Sequence, residues 1–161
     1  MSELTVGAPA PDFHVPAVTR NSETTLSLSG CRGRQSVVLY FYPQDDTPGC
    51  TTQACAFRDL EAQFAEAGSV IWGISPDEQQ SHQAFADKYS LPFPLLADPD
   101  HAVAASFGVW KEKTNDGKAY WGIERTTFVI DQAGNVAQIY PRVRVDQHAN
   151  KVLQFVQQMA G

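Results

Sequence analysis

Three short apolar runs constrain the fold of this chain more than any other feature. They are Ser36-Val37-Val38-Leu39-Tyr40-Phe41-Tyr42, Val70-Ile71-Trp72-Gly73-Ile74 and Thr126-Thr127-Phe128-Val129-Ile130. Each is too short for a buried helix and too uniformly apolar for a strand with one wet face. Such runs read as strands covered on both sides. Pro43, Ser75-Pro76 and the turn Asp131-Gln132-Ala133-Gly134 end them, and Val136 to Tyr140 reads as a hairpin partner of the third. Between the runs the apolar period changes to that of a helix. Ala54, Phe57, Glu61 and Phe64 step along 49–66, with Leu60 beside them. Ala84, Phe85 and Tyr89 mark a second helix in 77–89, and Val152, Phe155, Val156 and Met159 a last one in 145–159. A short helix over 100–107 would be capped by Asp98 or Asp100. Weak alternation from Val15 to Leu28 about Asn21-Ser22 predicts an N-terminal β-hairpin. The expectation is an α/β fold, a mixed central β-sheet flanked by helices, with that hairpin as an extra element.

The 161 residues suit a single domain spanning 1–161, and 43% hydrophobic residues supply its core. The net charge of −6 argues against nucleic acid as a partner, and residues 59–87 carry six acidic side chains and no Lys or Arg. No apolar run approaches the roughly 18 residues of a membrane span, and no secretory signal is read at the N-terminus. The three tryptophans read as core or pocket wall, and the four histidines carry no motif. Cysteine is scarce: Cys31, Cys50 and Cys55. An odd, low count fits a reducing compartment, so a cytoplasmic protein in which a thiol pair is more chemical than structural. No histidine lies at ligand spacing from the cysteines, so no metal is expected.

The chemistry concentrates in Asp46-Thr47-Pro48-Gly49-Cys50-Thr51-Thr52-Gln53-Ala54-Cys55, between the first buried strand and the first long helix. Open α/β sheets bind ligands beyond the carboxyl ends of their strands. Pro48 suits a first helical position, and Gly49 admits close approach of backbone and ligand. Cys50 then falls in the first helical turn, where free amides and the helix dipole favour an anion, hence a thiolate. Cys55 is five residues on. In an intact helix the two Cα atoms are about 8–9 Å apart, whereas a disulfide needs about 7 Å or less. A reaction joining them requires the helix to unwind locally. Cys55 shares its stripe with Asp59 and Ala62, a less apolar face that is easier to release. Arg125, just before the third apolar run, is the best source of positive charge for a thiolate. Thr47 is read either as a helix cap or as a hydroxyl for a substrate oxygen.

These residues resemble the peroxiredoxins, most closely the bacterioferritin comigratory protein (PrxQ) branch. The matching strings are Gly7-Ala8-Pro9-Ala10-Pro11-Asp12-Phe13, Tyr40-Phe41-Tyr42-Pro43, Asp46-Thr47-Pro48-Gly49-Cys50-Thr51, Cys55 with Phe57-Arg58-Asp59, and Arg125-Thr126-Thr127-Phe128-Val129-Ile130-Asp131. The resemblance implies a thioredoxin-like fold and a thiol-dependent peroxidase of the atypical 2-Cys kind. It assigns Cys50 as the peroxidatic cysteine and Cys55 as the resolving one, joined as an intrachain redox-active disulfide. It places Pro43 as a shield for the cysteine, Thr47 and Gly49 at the peroxide, and Arg125 on both thiolate and peroxide. Substrates would be hydrogen peroxide or organic hydroperoxides, the reductant thioredoxin or a similar dithiol, the working form a monomer, with no cofactor. Cys31 lies outside the family pattern, in the basic stretch Ser29-Gly30-Cys31-Arg32-Gly33-Arg34. It reads as a bystander thiol, or as one that resolves Cys50 between chains.

Two other readings use the same residues. A thiol–disulfide oxidoreductase acting on protein partners explains both thiols but not Thr47 and Arg125 at one site. A binding or chaperone-like module with incidental thiols would keep its function without Cys50.

Overall fold

The computed structural model describes residues 4–19 and 22–160. Strands β1 (His14–Thr19) and β2 (Ser22–Ser27) pair as the expected hairpin, in register to Thr19↔Ser22. Arg20 and Asn21, where the turn was expected, lie outside the described residues. A 3-10 turn at Ser29–Cys31 leads into β3 (Ser36–Phe41), buried along its whole length. Then follow α1 (Pro48–Glu66), β4 (Ser69–Ser75), α2 (Gln79–Tyr89), β5 (Leu95–Ala97), α3 (Ala102–Ser106), β6 (Trp110–Asn115), β7 (Lys118–Ile123), β8 (Thr126–Ile130), β9 (Val136–Tyr140) and α4 (His148–Ala160).

Among the described residues, seven strands form one sheet in the order β2-β1-β5-β4-β3-β8-β9. The β3/β4 and β4/β5 pairs are parallel, and β1, β8 and β9 run against their neighbours. The N-terminal hairpin is therefore one edge of the main sheet, through Ala17↔Leu96. The 7–13 segment lies along the other end, where Gly7 N–H donates to the Val136 carbonyl and Val136 N–H to that of Ala8.

Side-chain alternation builds two cores from the one sheet. Val38, Tyr40, Tyr42, Ile71 and Val129 face α1, α2 and α4, while Val37, Leu39, Phe41, Phe128 and Ile130 face α3 and the 3-10 turn. Tyr40 is stacked between Phe57 (centroids 4.9 Å apart) and Tyr42 (5.4 Å). That pins the middle of α1 to the sheet. Each such aromatic pair is worth about 0.5–1.5 kcal/mol beyond its buried area.

The charged β6–β7 hairpin and the three-residue β5 are additions to the sequence expectation. The hairpin turns at Asp116-Gly117, both with positive φ, the conformation a two-residue hairpin turn demands. β6 carries the charged run Lys111-Glu112-Lys113 and β7 is mostly exposed, so hydrophobic periodicity missed them. Trp121, expected in the core or a pocket wall, is 58% exposed on β7. It stacks on Trp110, which in turn lies flat on His101 at 3.9 Å. Met159, placed on the apolar stripe of the last helix, is also exposed.

Candidate active site

Register explains why two residues 75 apart in sequence meet. β3 runs antiparallel to β8 with Phe41 opposite Thr126. The chain thus leaves β3 toward Cys50 at the point where Arg125 enters β8. The Arg125 carbonyl accepts the Val143 N–H at 2.9 Å, which fixes its backbone from the other side.

Helix α1 begins at Pro48 with Thr47 in the N-cap position, so Cys50 is the third helical residue. The amides of Gly49 and Cys50 belong to the first turn, which has no intrahelical acceptors. Arg125 spans the site: Nη2 donates to Cys50 Sγ at 3.4 Å and Nη1 to Gln53 Oε1 at 2.7 Å. A cation on one side and the positive end of a helix on the other stabilise negative charge on that sulfur. Gly49 makes the approach possible, since a Cβ there would lie 3.2 Å from Nη2. The closeness expected at Gly49 is thus to the guanidinium. Cys50 is 1% exposed and Cys55 half-buried, both as free thiols within the unbroken helix.

Thr47 makes no side-chain cap to the helix. Its hydroxyl donates to the Gln44 carbonyl at 3.1 Å, so its proton is already engaged and its lone pairs are what it offers a ligand. Pro43 is exposed on the loop that leaves β3. Cys31 is buried in the core on the opposite face of the sheet from Cys50, its sulfur accepting from Gln35 Nε2 at 3.5 Å. The loop-like expectation for Cys31 gives way to a core position, across the sheet from Cys50 of the same chain.

Sequence reasoning missed Gln53, which is 1% exposed and holds Arg125. Its position one turn beyond Cys50, on the same face, was the available signal. Among the described residues, its Nε2 and the Tyr40 hydroxyl are buried without a hydrogen-bond partner. Burial, reinforced by the negative potential of Cys50 and Asp45, holds the Tyr40 phenol well above its usual range, so it stays a neutral donor.

Two of the histidines, for which the sequence offered no motif, are buried and hydrogen-bonded. His148 is buried on Thr127, Nε2 to Oγ1 at 2.9 Å, with its ring edge-on to Phe57 and Tyr140. Burial, then the charges of Lys151 and Arg125, push its pKa down to about 4. His82 is wholly buried, with Nδ1 on Asp45 Oδ2 at 2.7 Å and Nε2 on the Leu96 carbonyl at 2.8 Å. Among the described residues, Asp45, Asp77 and His82 bring one ligating atom each within 4.8 Å of one another. Those atoms already bond one another and Tyr42, Ser75, Ser81 and Leu96, which makes the group a hydrogen-bond network.

Residues 6–139 match the model of the AhpC/TSA family. Over 150 residues the chain is 47% identical to a putative peroxiredoxin Bcp of Coxiella burnetii, covering 93% of this chain and 97% of the relative. Over 157 residues it is 45% identical to peroxiredoxin Bcp of Bacillus subtilis, covering 98% of each. The chain is a peroxiredoxin of the Bcp/PrxQ branch. As a peroxiredoxin it is a thiol peroxidase, as its cysteine motif implied. Its fold is that of solved relatives. A cysteine-to-serine mutant of Xylella fastidiosa PrxQ superposes with a TM-score of 0.91 at 32% identity over the full length of both chains. The bacterioferritin comigratory protein of Xanthomonas campestris, solved in work on its alkyl peroxide reduction activity, superposes at 0.88 with 37% identity over 98% of each. The thioredoxin-like expectation holds, with the peroxiredoxin's sheet and helices in the order that the sequence indicated.

Proposed function

We propose that this peroxiredoxin reduces peroxides at Cys50 and closes its cycle through Cys55. The observation that carries the reading is the Arg125 fork, which joins the Cys50 sulfur to Gln53 at the positive end of α1. Cys50 thiolate attacks the terminal oxygen of a hydroperoxide. An S–O bond forms as the O–O bond breaks, leaving sulfenic acid on Cys50 and hydroxide or an alkoxide, which takes a proton from water to leave as water or an alcohol. Negative charge grows on the departing oxygen, where Arg125 and the Gly49 and Cys50 amides are the donors. Thr47, with its own proton on the Gln44 carbonyl, accepts from the peroxide O–H and so orients it.

Cys55 thiol then displaces hydroxide from the sulfenic acid sulfur, giving the disulfide and water. The helix forbids this contact while intact, so its first turns must open. Opening also carries Gln53 away from Arg125, because Gln53 lies between the two cysteines. An external dithiol of the thioredoxin type restores both thiols by exchange. Substrates are hydrogen peroxide and organic hydroperoxides; with Cys50 1% exposed, only the hydroperoxide end reaches the sulfur. Pro43 ends β3 and sets the path of the loop that brings Thr47 and Cys50 together. The enzyme acts as a single-domain monomer in a reducing cytoplasm, with all three thiols free until peroxide arrives.

Peroxide consumption with thioredoxin as reductant tests the assignment. Cys50→Ser should lose turnover. Cys55→Ser should consume one equivalent of peroxide and then stop. Wild-type turnover by Cys55→Ser would remove Cys55 from the cycle, and turnover by Cys50→Ser would overturn the reading of the site.

A further inference from the structure

The stretch that has to unwind is held at both flanks by one element, α2. Upstream, Asp45 is buried in the loop before Cys50. Its Oδ1 accepts from the Tyr42 hydroxyl at 2.7 Å, and its Oδ2 accepts from Ser81 Oγ at 2.7 Å and meets His82 Nδ1 at 2.7 Å. The Asp45 N–H donates to Asp77 Oδ2, itself held by Ser75 Oγ. The next residue, Asp46, has φ +60 and pairs with Lys88 Nζ at 2.7 Å and the Tyr89 hydroxyl at 2.8 Å, both at the end of α2. Downstream of Cys55, Arg58 Nη1 donates to the Tyr89 carbonyl at 2.9 Å. Residues 46–58 are thus bracketed by α2.

The exposed contacts of this bracket are weak, because an ion pair in water such as Asp46–Lys88 contributes little. The buried anchor is different in kind. The Leu96 carbonyl can only accept, so His82 Nε2 carries a proton. The other ring nitrogen, Nδ1, meets Asp45 Oδ2 at 2.7 Å. Breaking either partner leaves a buried polar group unpaired, which is costly.

We propose that His82 is a positioning residue for the peroxidase reaction: through Asp45 it holds the loop before Cys50 and thereby sets how readily the start of α1 opens. The idea rests on the Cys50/Cys55 assignment above. Two fates compete for the sulfenic acid. Opening lets Cys55 form the disulfide with loss of water. In the closed form a second peroxide oxidises the sulfenate to sulfinic acid, with water or an alcohol released. A firm anchor favours a well-formed site and rapid first oxidation, and it also favours over-oxidation. A loosened anchor shifts the population toward the open form.

The test compares wild type with His82→Gln, Asp45→Asn and the milder Tyr42→Phe, which removes one hydroxyl from the same carboxylate. Each reduced protein is mixed with increasing hydrogen peroxide. The rate of Cys50 oxidation is followed by tryptophan fluorescence, and the sulfinic-to-disulfide ratio is read by intact mass. Loss of the anchor should slow the first oxidation several-fold and raise the peroxide needed for half over-oxidation by about 10-fold, with Tyr42→Phe between. Variants that melt at lower temperature yet keep the wild-type rate and ratio would overturn the proposal and leave His82 a purely structural residue. Should His82→Gln and Asp45→Asn fail to fold, Tyr42→Phe decides by the same two readings. Absence of any Cys50 oxidation in the wild type would instead strike the site assignment.

Discussion

At the residue scale, the site depends on one guanidinium doing two jobs. Arg125 touches the sulfur through Nη2 and is aimed by Gln53 through Nη1. Arg125→Ala should therefore slow oxidation of Cys50 by about 10²–10³-fold, the usual loss on removing a donor that stabilises a transition-state charge. Gln53→Ala leaves the charge but not its aim, and should cost about 10-fold. Stopped-flow oxidation with one equivalent of peroxide measures both; a Gln53→Ala defect as large as that of Arg125→Ala would mean that Gln53 does more than aim. Cys50, Cys55, Thr47 and Arg125 stood out as candidates in sequence because each sits in a motif or beside an apolar run, and the meeting of Arg125 with Cys50 was among the expectations. Gln53 and His82 were not. His82 meets Asp45 across 37 residues, and no local pattern signals a histidine whose two nitrogens are spoken for by distant acceptors.

At the element scale, the proposed cycle asks different things of the two ends of α1. Its first turns carry Cys50, Gln53 and Cys55, while Phe57 and Phe64 are fully buried and hold the rest to the sheet. Oxidation should therefore abolish amide hydrogen-exchange protection around residues 50–55 and preserve it from Phe57 onward. Uniform loss along α1 would show that the boundary lies elsewhere. Removing the anchor itself, Phe57→Ala, should lower stability by about 3–5 kcal/mol in urea titration, the usual cost of truncating a buried aromatic. The buried strands were legible because continuous apolar runs admit few other structures. The β6–β7 hairpin was not, because Lys111, Glu112 and Lys113 interrupt its apolar pattern and only Asp116-Gly117 betrays the turn. Asp98, offered as a cap for the short helix, does serve α3, accepting from the Val103 and Ala104 amides. It does so from outside the N-cap position, which is taken by His101 with φ +51.

At the scale of the whole molecule, the sheet separates two cores, with Cys50 in one and Cys31 in the other. The buried His148 adds a pH dependence to global stability. Its folded pKa, about 4, lies below the ordinary 6.5, so the unfolded chain binds its proton more readily. Its neutral-state stability is fully present above pH 6.5 and is lost as pH falls toward 4. The loss should approach about 3 kcal/mol from this group alone. Urea titrations at pH 7 and pH 4.5 should show it, and His148→Gln should flatten the difference; an unchanged pH dependence in that variant would assign the acid sensitivity to other groups.

The central claim is that Cys50 reacts with peroxide and that Cys55 reaches it by opening α1. Its most direct test is peptide mass mapping of the reduced protein after one equivalent of hydrogen peroxide, with free thiols alkylated. The account predicts a Cys50–Cys55 disulfide within one chain and Cys31 alkylated throughout. Cys50 held as sulfenic or sulfinic acid beside an alkylated Cys55, or a Cys50–Cys31 link between chains, would contradict it.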